Sequence, residues 1–198
     1  MKIGAVVLAA GSGRRFGGGK LSAELGGQPI LSHVCATVAR ALGAGLLDSG
    51  WVVVAADDRA ARLLVERAGL APIANQSPEM GISHSIRLGL EAAEANQTLD
   101  ALLLLLGDQP LVEVETMRRL IGSWSEGGGL VVRPRYRDQP DTPGHPVLLD
   151  RRLWPLCRRA AGDRGLAGLL PAAAFIDVPG ANPDIDTPVD LHLLEEHG

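Results

Sequence analysis

Ile3-Gly4-Ala5-Val6-Val7-Leu8-Ala9-Ala10-Gly11-Ser12-Gly13-Arg14-Arg15-Phe16-Gly17-Gly18-Gly19-Lys20 begins as an apolar run and ends as a glycine-rich, cationic loop. Such a run reads as a buried strand. A strand that opens into such a loop is how an α/β protein grips a polyphosphate. Glycine lets the backbone bring several N–H groups close to the anion, while Arg and Lys supply charge. Spacing excludes two commoner phosphate loops. A P-loop needs Ser or Thr after its Lys, where this chain has Leu21, and the dinucleotide fingerprint needs a third glycine where Phe16 follows Gly11-Ser12-Gly13.

Outward from this stretch, apolar runs alternate with amphipathic ones. Strand-like segments are expected at 2–9, 51–55, 72–74, 101–106, 130–133, 146–149 and 174–178. Helical spacing is expected at about 30–42, 58–69, 82–95, 112–124 and 188–196. This alternation implies an α/β, Rossmann-like fold: a mostly parallel central sheet with helices on both faces. The run Ala101-Leu102-Leu103-Leu104-Leu105-Leu106 has no polar side and belongs at the sheet centre, covered on both faces. Residues 133–144, proline-rich and charged, read as a loop over the site. No linker or repeat interrupts the pattern, so one domain over residues 1–198 is expected.

Composition restricts the function. With 23 acidic against 19 basic residues, the net charge of −4 argues against a nucleic-acid partner, whose phosphates call for a basic face. No apolar run approaches the roughly 18 residues that span a bilayer. The N-terminus reads as a strand rather than a signal peptide. Cys35 and Cys157 stand far apart without metal-type neighbours and read as reduced, buried thiols in a cytoplasmic enzyme.

Lys2 and Lys20 are the two lysines among 19 basic residues, so a lysine at the end of the glycine-rich loop is informative. Its compact ammonium suits a phosphate oxygen; a solvated surface position is the alternative. Ligands in open α/β sheets bind beyond the carboxyl ends of the strands. Gly107-Asp108-Gln109-Pro110 follows the central strand, which puts Asp108 near that loop. Asp108 is a candidate Mg²⁺ ligand, since Mg²⁺ takes one or two protein carboxylates and leaves its other positions to phosphate and water. It could instead cap a helix. Asp184-Ile185-Asp186-Thr187-Pro188 offers a second carboxylate, Asp186 before Asp184, with helix capping again the alternative. Gly81, Ser83 and Ser85 begin a helix and can meet a base edge or act as caps. His145, between Gly144 and Pro146, reads as a contact to a second substrate or as a packed turn residue. In Gly162-Asp163-Arg164-Gly165 a substrate contact and an internal ion pair are equally compatible with the residues.

Together these segments resemble the molybdenum cofactor cytidylyltransferase branch of the MobA-like NTP-transferase family. The resemblance rests on LxAGxGxRxGxxK at Leu8 to Lys20, N…GxSxSxxxGL at Asn75 to Leu90, and LLLGDQP at Leu104 to Pro110. It continues with PGHPVLL at Pro143 to Leu149, GDRG at Gly162 to Gly165 and DIDTP at Asp184 to Pro188. The first motif is common to many nucleotidyltransferases; GDQP, PGHPV and DIDTP in this order are more specific. The resemblance implies that Ala9-Ala10-Gly11 goes with CTP, where the guanylyltransferase branch has Ala-Gly-Gly. Two departures stand out: Ser12-Gly13 in the first motif, and Leu166-Ala167 after GDRG, where the family often has Ala-Arg.

The resemblance also implies a reaction. The terminal phosphate of molybdopterin, with or without molybdenum, attacks the α-phosphorus of CTP and pyrophosphate leaves. A phosphate monoester needs no protein general base, so catalysis reduces to positioning and charge neutralisation by Mg²⁺, Arg15 and Lys20, and the expected catalytic residues are Arg15, Lys20 and, through the metal, Asp108. Leu8, Ala9, Ala10, Gly11, Gly13, Gly81, Ser85 and His145 are the expected binding residues, and Asp108 and Asp186 the metal ligands. The implied partners are CTP, molybdopterin or Mo-molybdopterin, and a recipient molybdoenzyme or its chaperone. Two other readings stay open: a cytidylyl- or uridylyltransferase acting on a sugar or polyol phosphate, and a non-catalytic carrier of the finished cofactor. A carrier has no use for a metal–triphosphate site.

Overall fold

The chain is seen in a computed structural model that describes residues 1–198 except Ser12, Gln97 and Gly198. In chain order the elements are β1 (Ile3–Ala9), a small hairpin of β2 (Glu24–Leu25) and β3 (Gln28–Pro29), α1 (Ile30–Gly43), β4 (Ser49–Ala55), α2 (Arg59–Arg67) and β5 (Ala71–Asn75). Then come α3 (Ile82–Ala95), β6 (Ala101–Leu106), α4 (Val114–Ser125), β7 (Val131–Tyr136), β8 (Val147–Asp150), α5 (Trp154–Cys157), β9 (Ala174–Val178) and α6 (Pro188–His197).

Among the described residues the main sheet has seven strands in the order β5-β4-β1-β6-β8-β7-β9. Strands β5, β4, β1 and β6 run parallel, β8 runs antiparallel to both β6 and β7, and β9 is parallel to β7. The expected mostly parallel α/β sheet is thus present. The period of two along each strand divides the core. Ala5, Val7 and Ala9 of β1 join Leu103 and Leu105 of β6 under α1 and α4, with Leu31, Val34, Met117 and Leu120 packed there. Val6 and Leu8 join Leu102 and Leu104 on the opposite face, under Ile86 and Leu90 of α3 and Trp154 of α5. Helices on both faces bury both sides of the central strands, which explains why their sequence shows no polar side. Helix α3 sits very close to β1: a Cβ on Gly89 would lie 2.5 Å from Val6 Cγ1. Cys35 and Cys157 are both buried free thiols.

Sheet order reverses between β1 and β6, because the chain leaves β1 toward β4 on one side and returns to β6 on the other. The crevice beyond the carboxyl ends of those two strands is therefore the natural ligand position.

The structure corrects the reading of residues 133–144 as a loop. Residues to Tyr136 continue β7, paired with β9 from Val132↔Ala174 to Tyr136↔Val178. The β8 ladder ends at Val132, and beyond it that side of β7 meets a loop, the Gly144 amide donating to the Pro134 carbonyl at 3.1 Å. A proline at 134 is tolerated there. The hairpin at 24–29 was not expected; strands of two residues carry no periodicity to read.

Asp150, at the end of β8, anchors this half of the sheet. Its carboxylate accepts from Arg152 Nε (2.8 Å) and Nη2 (2.9 Å), from the Arg152 amide (2.9 Å) and from Trp124 Nε1 (3.0 Å). Hydrogen bonds from the Arg152 side chain, set against burial, hold its pKa down at about 2. A carboxyl depressed below its unfolded value stabilises the fold above the unfolded pKa and loses that contribution as pH falls through the folded one. Asp150→Asn should cost about 1–2 kcal/mol at pH 7, at the low end for such a shift because Arg152 stands in solvent. In urea titrations the gap to wild type should close between about pH 4 and pH 2; a constant gap would remove the charge from the account.

Candidate active site

The loop after β1 turns back on itself. The Gly13 carbonyl accepts from the amides of Phe16 (2.9 Å) and Gly18 (3.2 Å), and Gly13 has a φ of +55°, a conformation suited to glycine. A Cβ at Gly13 would stand 3.2 Å from Lys20 Cβ, so the fold brings Lys20 back beneath the start of the loop. Ser12, quoted in the motif, lies outside the described residues.

Three segments meet at Lys20. Its Nζ donates to Asp108 Oδ2 at 2.6 Å and to Asp186 Oδ1 at 3.2 Å, while Arg15 Nη1 donates to Asp186 Oδ2 at 2.6 Å. Burial alone would pull the Lys20 pKa down, but the two carboxylates outweigh it and the net shift is upward. Lys20 is therefore a firm cation at neutral pH. Asp108 reaches this point because Gly107 lets the end of β6 lie against β1. The Gly107 amide donates to the Leu8 carbonyl at 2.9 Å, and a Cβ there would meet Ala9 Cβ at 3.0 Å.

In the DIDTP segment the helix cap falls to Thr187, together with Asp190 in the helix itself. Thr187 and Asp190 form a reciprocal cap at the start of α6. The Thr187 amide (2.7 Å) and hydroxyl (2.9 Å) donate to Asp190 Oδ2, and the Asp190 amide returns to Thr187 Oγ1 at 3.3 Å. Capping is thus satisfied without the Asp186 carboxylate, which faces Lys20 and Arg15. The Ile185 amide donates to the Asp108 carbonyl at 3.0 Å and fixes this segment to the end of β6. Asp184 points elsewhere and accepts from Gln109 Nε2 at 2.9 Å. Burial, with the negative charge of Asp108, pushes its pKa up. Gln109 is buried and also accepts from Asn182 Nδ2 at 3.4 Å. It sits in the GDQP motif, yet nothing in its residue type singled it out.

A cavity of about 280 Å³ opens beside this cluster. Leu8, Ala9, Ala10, Gly11 and Gly13 form one wall, Gly81 and Ser85 another, and Lys20 and Asp108 the end. Gly11 has free space where a Cβ would project. The Ser85 hydroxyl accepts from Asn75 Nδ2 at 3.0 Å, which leaves its own proton for a ligand. Ser83 is buried, and its hydroxyl has no partner among the described residues. Gly81 has a φ of +84°, and a Cβ there would lie 2.5 Å from Asp163 Oδ1. The Gly162–Arg164 turn is therefore seated directly on the start of α3.

His145 lies apart from this group. It lines a second cavity of about 390 Å³, which shares Leu8, Ile82, Leu106 and Asp163 with the first. Its carbonyl accepts from Tyr136 Oη (2.8 Å) and Asn182 Nδ2 (3.5 Å), so the turn is held by backbone while the ring makes no hydrogen bond among the described residues. Burial, with the nearby Arg133 charge, pushes its pKa down to about 4, leaving a neutral imidazole at pH 7. Asp163 and Arg164 are exposed and form no ion pair with each other among the described residues.

The donor set suits a hard divalent cation. Among the described residues no group of three or more His, Cys, Asp or Glu is arranged to hold a metal. Asp108 and Asp186 nevertheless converge on one cation, the Lys20 ammonium. Two carboxylate oxygens, with phosphate and water completing the shell, match what Mg²⁺ takes from proteins.

Residues 5–176 match the model of the MobA-like NTP transferase domain. The chain is 32% identical to the bifunctional protein GlmU of Bordetella petrii over 131 residues, which are 64% of this chain and 27% of that protein. It spans about a quarter to a third of the length of the curated relatives it matches. The crystal structure of Rv0371c from Mycobacterium tuberculosis H37Rv has a TM-score of 0.79 and 28% identity, covering 99% of this chain and 98% of that one. A manganese complex of Rv0371C gives a TM-score of 0.78 and 27% identity with both chains fully covered. No described helix is long and apolar enough to cross a membrane. The match over most of its length, on a fold shared with Rv0371c, means that the chain belongs to the MobA-like NTP transferase family.

Proposed function

We propose that residues 1–198 form one cytoplasmic, Mg²⁺-dependent domain that transfers CMP from CTP to the terminal phosphate of molybdopterin, with or without molybdenum, for delivery to a molybdoenzyme or its chaperone. The observation that carries this reading is the meeting of Lys20, Arg15, Asp108 and Asp186 at one end of a cavity walled by Leu8, Ala9, Ala10, Gly11 and Gly13, with a second cavity adjoining it. One cavity takes the nucleotide, the other the body of the acceptor, and the reacting phosphates meet between them. The motifs GDQP, PGHPV and DIDTP support molybdopterin as the acceptor. Two free, buried thiols, Cys35 and Cys157, suit a reducing compartment.

Asp108 and Asp186 would hold the Mg²⁺, which when bound supplies positive charge to the triphosphate and to the departing pyrophosphate. Lys20 and Arg15 add cationic donors on the same side. An acceptor phosphate oxygen forms the new bond to the α-phosphorus as the bond to the bridging oxygen of pyrophosphate breaks. The acceptor is already anionic near neutral pH, so the protein's task is orientation and charge balance. The Ser85 hydroxyl, oriented by Asn75, donates toward the base, and the loop backbone meets the phosphates.

Pyrophosphate release measured with CTP, GTP, ATP and UTP in the presence of molybdopterin tests the assignment; no turnover of molybdopterin, or preference for GTP, would end it. Lys20→Ala should cut kcat/KM roughly 100-fold or more while leaving the circular dichroism spectrum unchanged. It should also lower the Mg²⁺ concentration needed for half-activation, because a competing cation leaves the carboxylates. Asp108→Ala and Asp186→Ala should raise that concentration, and the double variant should lose less than the sum of the single losses. Strict additivity would count against a shared ion.

Base choice is expected to depend on Ala10, which lines the cavity and is buried. Removing its methyl group makes room for a purine. Ala10→Gly should therefore raise kcat/KM for GTP relative to CTP, a ratio that reports discrimination directly. A ratio that does not move would leave CTP use intact and dismiss Ala10 as its cause.

A further inference from the structure

Strand alternation turns Arg133 into the second cavity. Val132 packs on the α1 and α4 face of the sheet, while Val131 packs on the α3 face with Leu104 of β6 and Val147 of β8. Arg133, two residues beyond Val131, shares Val131's face and lines the cavity of about 390 Å³. Apart from Arg133, His145, Asp163 and Arg164, its walls are aliphatic or glycine. A half-buried guanidinium in such walls needs a reason.

Among the described residues its hydrogen-bond partners are backbone carbonyls alone. Arg133 Nε donates to the Gly144 carbonyl at 3.1 Å and Nη2 to the Pro143 carbonyl at 2.8 Å. Of the five N–H donors of a guanidinium, three have no protein partner among the described residues. No carboxylate lies within ion-pair distance of it among the described residues; Asp163 lines the same cavity without pairing. Carbonyls fix the fork in place but do not neutralise it. A cation kept in apolar surroundings without a counter-charge is costly to the free protein. Burial accordingly lowers the Arg133 pKa, though not enough to discharge an arginine near neutral pH. His145 does not add to the charge, being neutral at pH 7.

Geometry gives the position of this donor relative to the chemistry. Strand β7 is two places from β6, with β8 between them. Two inter-strand spacings put β7 about 10 Å from the strand that delivers Asp108. We infer that Arg133 clasps a carbonyl or anionic oxygen at the end of the acceptor remote from its phosphate, and that it selects acceptors with a flat, largely apolar body over hydroxyl-rich sugar or polyol phosphates. This rests on reading the second cavity as the acceptor site. The aliphatic walls would leave hydroxyl groups without partners, which disfavours a polyol. They suit a planar ring system whose one strong acceptor meets a fixed fork.

The test uses pterin-6-carboxylate as a fluorescent probe, titrated into the full chain without nucleotide. Wild type should bind it, and Arg133→Gln, which can still donate to the Gly144 carbonyl, should weaken binding at least tenfold. Arg133→Lys, which keeps the charge but loses the fork, should fall between the two and decides the matter if the Gln variant fails to fold. Ribitol 5-phosphate should compete poorly. No binding by wild type, equal affinity in the folded variants, or equal competition by ribitol 5-phosphate would overturn the inference. Kinetics separates it from the broader reading. With CTP and molybdopterin, Arg133→Gln should raise the KM for molybdopterin at least tenfold without moving the KM for CTP. If molybdopterin is turned over and its KM stays put, Arg133 is excluded while the transferase assignment stands. If molybdopterin is not turned over at all, the assignment fails and the probe titration still decides the role of Arg133.

Discussion

One ammonium group ties together the two ends of the chain and the end of its central strand. Lys20, Asp108 and Asp186 are separated by 88 and 166 residues along the sequence as counted from Lys20, yet they meet within hydrogen-bond distance. A lysine so little exposed needs its charge matched, and the ammonium between the two carboxylates relieves their mutual repulsion. The neighbouring devices serve this junction. Gly13 folds the loop so that Lys20 returns, Gly107 lets β6 end against β1, and the Thr187–Asp190 cap leaves the Asp186 carboxylate uncommitted.

The junction closes one end of the smaller of two cavities that share a wall, and the chemistry of the two differs. The smaller is lined by backbone-rich, small residues, with free space at Gly11 for a ligand to approach the chain closely. The larger has aliphatic walls and one fixed guanidinium. A glycine-rich wall suits phosphates and a base edge, because its donors are amides. An aliphatic wall suits a ring system. The Gly162–Arg164 turn, packed on Gly81, belongs to the boundary between them through Asp163. Substitution at Gly81 would therefore disturb both cavities.

The fold was legible where burial leaves a strong mark. Continuous apolar runs at Ile3–Ala9 and Ala101–Leu106 can be satisfied only by strands covered on both faces, and they occupy the middle of the sheet. It was less legible at the margin. Strand β7 carries Arg133, Pro134 and Arg135, residues that signal a loop; the strand is held by its ladder to β9, while on the other side a loop amide, Gly144, meets the Pro134 carbonyl and no ladder donor is asked of the proline. Gln109 was passed over for a similar reason. Its buried bridge between Asn182 and Asp184 depends on where a segment more than 70 residues away returns.

The sequence by itself determined the fold class, the glycine-rich cationic loop, and the placing of Lys20 and Asp108 at adjacent strand ends. Those are local consequences of apolar periodicity, glycine spacing and the rule that ligands sit beyond carboxyl strand ends. Only the tertiary structure brought Asp186 to Lys20 and Asp184 to Gln109, separated His145 from the first cavity, and turned Arg133 inward. Each of those outcomes depends on which face a strand presents and on which distant backbone group it meets. A single residue of register reverses the face, and no local pattern in the chain reports it.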